Sequence, residues 1–279
     1  MSFDFEERNR EYEFVVPRSY DPSKPTPLVL NWHGLGSNGP DQLSFSEYSV
    51  LAEREGILVV APTGLPAPGE TRNSWELTEA DDPSRDDLAF AEAVLDRVIA
   101  SACVDEARIY TTGMSNGGYF SSRLVCELAD RIAAAASIAA VFHPDDCRPS
   151  RAVPYLAFHG VDDEIVPYEG GGFSSLAPGV RLEIFEPSIP DEFGQFATTF
   201  GCQAEPSQRP VSADVTAFEY TGCPVGVEAI FYRIDNAGHT WPGSATSLAI
   251  GQIAGLGVTT NDIDATELSW EFFSRHRLQ

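Results

Sequence analysis

Apolar positions along the chain fall into two kinds of run. Short runs at Tyr12–Val16, Leu28–Trp32, Ile57–Ala61, Ile109–Thr112, Ala134–Ala139, Tyr155–Phe158 and Ala229–Ile234 predict strands. Between Asp87 and Cys103 the period changes: Leu88, Ala91, Leu95, Val98 and Ile99 recur at helical spacing, with Asp86 or Ser84 placed to cap the N-terminus. Further helices are predicted directly after Ser115 and over Asp264–Ser274. Asp191–Phe200, which mixes acidic and aromatic residues, suits a surface helix leading to Cys202. Strands alternating with helices predict an α/β fold, a mainly parallel sheet flanked by helices on both faces. Pro62–Pro83, rich in Pro, Gly and Asp, and Gly170–Pro190, opening on three glycines, predict loops that carry specificity.

A chain of 279 residues is long enough for a large core and short for two domains, so one catalytic domain over 1–279 is expected. The formal charge is −24, and Lys24 is the only lysine among 18 basic residues. Phosphate binding needs clustered cations, so nucleic acid is excluded as a partner, and anionic membrane surfaces are disfavoured. Neutral substrates fit best, and so acidic a surface also suits adaptation to salt. No apolar run reaches the eighteen residues of a membrane span, and the start lacks the apolar centre of a secretory signal. The chain is therefore either intracellular or a protein whose signal has been removed. Five cysteines point to oxidising conditions and one or two disulfides. With no CxxC spacing and five histidines, a zinc cluster is not expected.

The strongest chemical signal is Gly113-Met114-Ser115-Asn116-Gly117-Gly118, between an apolar strand and a helical pattern. That context is a nucleophile elbow, in which a serine sits on a sharp strand-to-helix turn and small residues two before and two after it avoid neighbouring backbone. A serine hydroxyl needs a base, and in an α/β-hydrolase sheet the chain order is Ser, then acid, then His. Only His239 and His276 come late enough. His239 follows the strand ending at Ile234, whereas His276 sits in Ser-Arg-His-Arg and reads as part of a solvated terminal helix. The acid should follow Tyr155–Gly160, where Asp163 is the first choice, ahead of Asp162 and Glu164. An oxyanion needs two N–H donors, assigned to Asn116 and to Leu35 in His33-Gly34-Leu35-Gly36. His33 precedes that turn and suits packing or loop fixation.

These motifs resemble the polyhydroxybutyrate depolymerase and feruloyl esterase family of α/β-hydrolases. The resemblance rests on Thr112–Gly118, on Phe158-His-Gly-Val-Asp-Asp-Glu-Ile-Val-Pro-Tyr168 and on Gly238-His-Thr-Trp-Pro-Gly243, with weaker echoes at Arg85-Asp-Asp-Leu-Ala-Phe90 and in the Gly-Cys pairs at Cys202 and Cys223. In the family the aspartate lies three residues after His-Gly, which maps onto Asp163 rather than Asp162. The resemblance implies carboxylic-ester hydrolysis through an acyl-enzyme, without metal or cofactor. It implies small or oligomeric ester substrates: hydroxycinnamoyl esters, short poly(3-hydroxybutyrate) chains or acetylated xylan. It also implies an extracellular or periplasmic location. The oxyanion loop is less glycine-rich than the family's usual form.

Trp75 and Trp241 flank the proposed centre in sequence, as an apolar wall or ring platform for substrate or else as core tryptophans. No polymer-binding module is visible, which favours soluble oligomers and small esters over crystalline polymer. A serine peptidase would use the same triad but has no cap here to select peptides; a non-catalytic binding protein would lack a triad member, and none is missing. Cys202 and Cys223 are expected to pair, bracing the segment before the strand that leads to His239.

Overall fold

Strands buried along their whole length belong in the middle of a sheet covered on both faces, and Leu28–Leu30 and Leu58–Val60 take that place. The computed structural model describes residues 1–67, 69–77, 85–171 and 187–279. In chain order the elements are β1 (Ser2–Phe5), β2 (Arg8–Val15), β3 (Thr26–Trp32), α1 (Gly39–Ser46), α2 (Tyr48–Glu55), β4 (Leu58–Thr63), β5 (Leu65–Pro66), β6 (Asn73–Ser74), α3 (Asp87–Ser101) and β7 (Val104–Met114). There follow α4 (Asn116–Glu127), β8 (Ala134–Ile138), β9 (Tyr155–Gly160), α5 (Ile189–Thr199), β10 (Ser207–Pro210), β11 (Val215–Tyr220), β12 (Ala229–Ile234), α6 (Ala245–Ile250) and α7 (Ala265–Ser274). Among the described residues ten strands form one sheet in the order β1-β2-β4-β3-β7-β8-β9-β12-β11-β10. The six from β4 to β12 are parallel, and antiparallel pairs extend both edges.

Side chains alternate across each strand. Leu28, Leu30 and Trp32 therefore join the layer packed by α3, α4 and α5, while Val29 joins the layer packed by α1, α2 and α7. This is the α/β-hydrolase arrangement expected. All seven predicted strands are present, β7 longer than its apolar run and β9 by two residues. Two of the strands that apolar runs do not mark lie at the sheet's edges: β1 is half exposed and β10 is exposed throughout. Asp86 caps α3, accepting the Ala89 N–H; the alternative cap at 84 lies outside the described residues. Part of the first predicted loop is a ladder, Leu65–Pro66 against Asn73–Ser74. Most of the second, 172–186, lies outside the described residues.

α5 is the expected surface helix leading to Cys202: Asp191, Gln195, Thr198 and Thr199 are exposed, while Phe193 and Phe196 on its apolar side are fully buried against Tyr155. One expectation is corrected. His276 is buried rather than solvated: its ring packs 4.6 Å from Phe272, and its carbonyl accepts the Tyr110 hydroxyl.

Cys202 bridges Cys223, tying the end of α5 to the turn before β12, and Cys126 bridges Cys147; Cys103 is free. Thiol titration of the denatured, unreduced protein should give one thiol per chain, and all five cysteines only after reduction. More than one before reduction would contradict these bridges.

Candidate active site

Parallel sheets present ligand sites at the carboxyl ends of their strands, and the chemical motifs gather there. Met114 ends β7, and Ser115 turns the chain into α4 at φ 56°, ψ −125°. For a residue with a Cβ that is a strained conformation, of the kind held at functional turns. It is held by close backbone approach: a Cβ at Gly113 would collide with the carbonyl of Gly117, and one at Gly117 with that of Trp32. The loop after β3 abuts the serine, since a Cβ at Gly34 would lie 3.4 Å from Ser115 Cβ.

Backbone hydrogen bonds then stitch the edge together beyond the strands. Ser115 N–H donates to Ile138 O at 2.9 Å, Ala139 N–H to Phe158 O at 2.9 Å and Asp162 N–H to Ala237 O at 2.9 Å. The turn after β9 and the loop after β12 are thereby fixed against the elbow. Across that junction Asp163 Oδ2 lies 2.8 Å from His239 Nδ1. Asp163 is 4% exposed, and its Oδ1 accepts the N–H groups of Ile165 and Val166, both at 2.8 Å. Burial works against its charge, but His239, the hydrogen bond to it, His159 and the Val166 N–H outweigh burial and hold the carboxyl below its ordinary value. Asp162 and Glu164 are exposed on either side.

The loop after β3 is clamped by His33. Its Nδ1 donates to Gly34 O at 2.7 Å and its Nε2 accepts the Gly64 N–H at 2.9 Å, so the ring is a neutral tautomer. Burial pushes its pKa down to about 4, in keeping with that role. The N–H groups of Gly36 and Ser37 are committed to Asn73 O and Gly34 O. Asn116 is the first residue of α4, where N–H groups have no intrahelical acceptor.

Several residues were not found from sequence. The Asn116 side chain accepts the Trp75 N–H at 2.6 Å and donates to Trp75 O at 3.1 Å, fastening the segment after β6 to the elbow. Beneath it, Asp87 accepts from Arg10 Nη2 at 2.8 Å, Arg85 Nε at 2.8 Å and the Glu76 N–H at 3.0 Å, all buried. Arg123 donates to Glu76 O, and Arg10 lies 3.6 Å over the Phe90 ring. The echo motif Arg85–Phe90 thus supplies a buried ionic hub for the segment carrying Trp75.

The two tryptophans are corrected to core residues. Trp75 is 2% exposed, wedged between Trp32, Phe90 and Phe120 with its indole N–H on His33 O. Trp241 is 0% exposed and donates to Thr266 Oγ1. With the indole N–H satisfied internally and the rings enclosed, neither offers a free face to substrate. A separate cavity of about 660 Å³, lined by Tyr168, Gln195, Thr198, Gln208 and Tyr220, contains none of the predicted site residues. Among the described residues no group of three or more His, Cys, Asp or Glu is arranged to hold a metal.

No family model matches the chain. Feruloyl esterase B of Piromyces equi is 30% identical over 232 residues, which cover 80% of this chain and 41% of that enzyme's own length. Feruloyl esterase C of Emericella nidulans is 28% identical over 271 residues, covering 95% of this chain and 83% of its own. Over most of its length the chain is thus similar to feruloyl esterases, although it spans less than half of the first of these two. An acetyl xylan esterase from Aspergillus awamori shares the fold with a TM-score of 0.60 at 14% identity, over 88% of this chain and 94% of its own. These likenesses support carboxylic ester hydrolysis.

Removing one partner from a buried ionic hub strands the others. Asp87→Asn should therefore cost about 3–5 kcal/mol in denaturant unfolding, and an unchanged midpoint would show that the hub is not needed. Burial, and then Asp87 beside it, pushes the Glu76 carboxyl up to about 7. The same happens to Glu192, through burial first. A carboxyl raised on folding binds more protons in the folded state, so stability is greatest below its unfolded value of about 4.3 and declines as pH rises through about 7. Glu76→Gln should flatten that decline by on the order of 2 kcal/mol, read as the difference in unfolding free energy on either side of neutral pH.

Proposed function

We propose that Ser115 is the nucleophile, His239 its general base and Asp163 the carboxylate that orients the imidazole, within a single catalytic domain over 1–279. The observation that carries the reading is the 2.8 Å contact of Asp163 Oδ2 with His239 Nδ1, on loops stitched by backbone to the strained serine turn. With Nδ1–H donated to Asp163, His239 Nε2 is the ring nitrogen left to accept the serine proton. Ser115 Oγ then attacks the ester carbonyl, the N–H groups of Leu35 and Asn116 receive the oxyanion, and His239 passes the proton to the departing alcohol. Water, deprotonated by His239, cleaves the acyl-enzyme and regenerates the serine.

For the substrate we favour hydroxycinnamoyl esters, such as feruloyl groups on neutral sugars. The names of the relatives support this, and so does the surface beside His239. From Asn236 to Asn261 the chain carries no Asp, Glu, Lys or Arg, and Leu248, Ile250, Ile253 and Val258 are exposed. This segment docks on the histidine loop through the Gly238 N–H and Val258 O, 2.9 Å apart. An uncharged apolar border suits an aromatic acyl group in an otherwise acidic protein. Two disulfides support a location outside the cytoplasm.

Rates on methyl ferulate, 3-hydroxybutyrate oligomers and acetylated xylan, with wild type and Ser115→Ala, test both parts. Methyl ferulate should be preferred, and the variant should lose about 10⁴-fold or more in kcat. Preference for either other ester would move the substrate class while keeping the chemistry. An undiminished rate in Ser115→Ala would remove the serine from the mechanism, and faster cleavage of a matched amide would make the enzyme a peptidase.

A further inference from the structure

Asp163 has a second histidine beside it that the reaction does not use. His159, in β9, is 1% exposed. Its Nε2 lies 2.9 Å from the Val166 carbonyl and 3.4 Å from Asp163 Oδ2, the same oxygen that meets His239. A carbonyl only accepts, so Nε2 carries a hydrogen. Its Nδ1 is buried with no hydrogen-bond partner, which disfavours a second proton there. The ring is thus a neutral donor. Its single N–H points into the turn Asp163–Val166, whose own N–H groups at 165 and 166 hold the other carboxylate oxygen.

We infer that His159 is a positioning residue for the ester-hydrolysing centre, clamping the Asp163–Val166 turn through the Val166 carbonyl and presenting its N–H edge to Asp163 Oδ2. The inference rests on the triad reading given above. It accounts for an imidazole buried with one nitrogen unsatisfied, an arrangement that costs stability and that a purely apolar side chain would avoid. The clamp has two effects. It sets the direction in which Asp163 meets His239, and its dipole takes up part of the carboxylate's charge, tempering the pull on a proton at His239. The titratable and charged groups around this pair are His239, the buried Tyr119 hydroxyl and, from β12 and its end, Arg233 and Asp235. Arg233 pairs with Asp235 and lies 5.9 Å from the Tyr168 ring, which in turn is 6.1 Å from His159.

The test compares His159→Leu, His159→Gln and His159→Asn in the full chain, with Asp163→Asn as a reference, on the ester the wild type prefers. Gln places an amide N–H close to the position of Nε2, and Asn close to that of Nδ1. His159→Leu should lower kcat about tenfold to a hundredfold, as small misplacements of catalytic groups do, with KM changed less than about threefold. Without the N–H the Asp163 and His239 pair binds its proton more tightly, so the acid limb of kcat/KM should move to higher pH. His159→Gln should recover both the rate and the position of the limb, and His159→Asn should not. A loss of packing alone would lower the rate equally at every pH. An unmoved acid limb, or equal rates in the Gln and Asn variants, would therefore overturn the inference, and the Gln–Asn comparison decides it even if His159→Leu does not fold. If Asp163→Asn keeps full activity, the triad reading fails instead.

Discussion

Three backbones meet around Ser115, and the rest of the site depends on how closely they approach. The carbonyl of Trp32 at the end of β3 presses on Gly117, while the carbonyl of Gly117 presses on Gly113 at the end of β7. Only residues without a Cβ permit that contact, and it is the contact that holds Ser115 at positive φ with its side chain lifted off the sheet. Strain of this kind persists only where the surroundings over-determine it. Here the surroundings are a six-stranded parallel core with apolar layers on both faces, and the edge hydrogen bonds continue from Ser115 through Ile138 and Phe158 to Ala237.

The edge brings a buried carboxylate with it. Taking Asp163 out of water costs several kcal/mol unless its oxygens are occupied, and two backbone N–H groups, His239 and the edge of His159 occupy them. On the other side of the serine a second buried carboxylate, Asp87, is treated in the same way by Arg10, Arg85 and the Glu76 N–H. Asn116 joins the two regions: its side chain is tied to Trp75, next to Glu76, while its backbone directly follows Ser115 at the start of α4. The ionic hub is thus linked to the elbow by the Asn116 side chain and by Arg123 of α4, which donates to Glu76 O.

The sequence shows Ser115, Asp163 and His239 because the chemistry demands particular residue types just beyond apolar strands, and apolar runs are what sequence reveals best. It shows the glycines around Ser115 for the same reason. The hub was invisible: Arg10 lies 77 residues from Asp87, on the second strand from the sheet's edge, whose alternating charges suggest nothing but solvent. His159 stood inside a recognised motif, yet its role depends on a turn that folds Val166 back over it. The tryptophans mislead because an aromatic ring near a motif serves a wall or a core equally well. What makes them core is the partner of each indole N–H, His33 O for Trp75 and Thr266 Oγ1 for Trp241, and those pairings exist only in three dimensions.

Charge follows a related logic. Among the described residues three arginines, Arg10, Arg85 and Arg123, and four carboxylates, Glu76, Asp87, Asp163 and Glu192, are buried, so the outer surface keeps nearly all of the formal −24. The stretch from Asn236 to Asn261 interrupts that surface with no formal charge, beside His239. Ester hydrolysis turns a neutral substrate into an anionic acid. A neutral ester meets no electrostatic penalty on approaching the uncharged border, whereas the carboxylate formed there is repelled by the surrounding field, over a range set by a Debye length of about 8 Å at physiological ionic strength. On the proposed reaction, this charge distribution favours release of product over its rebinding.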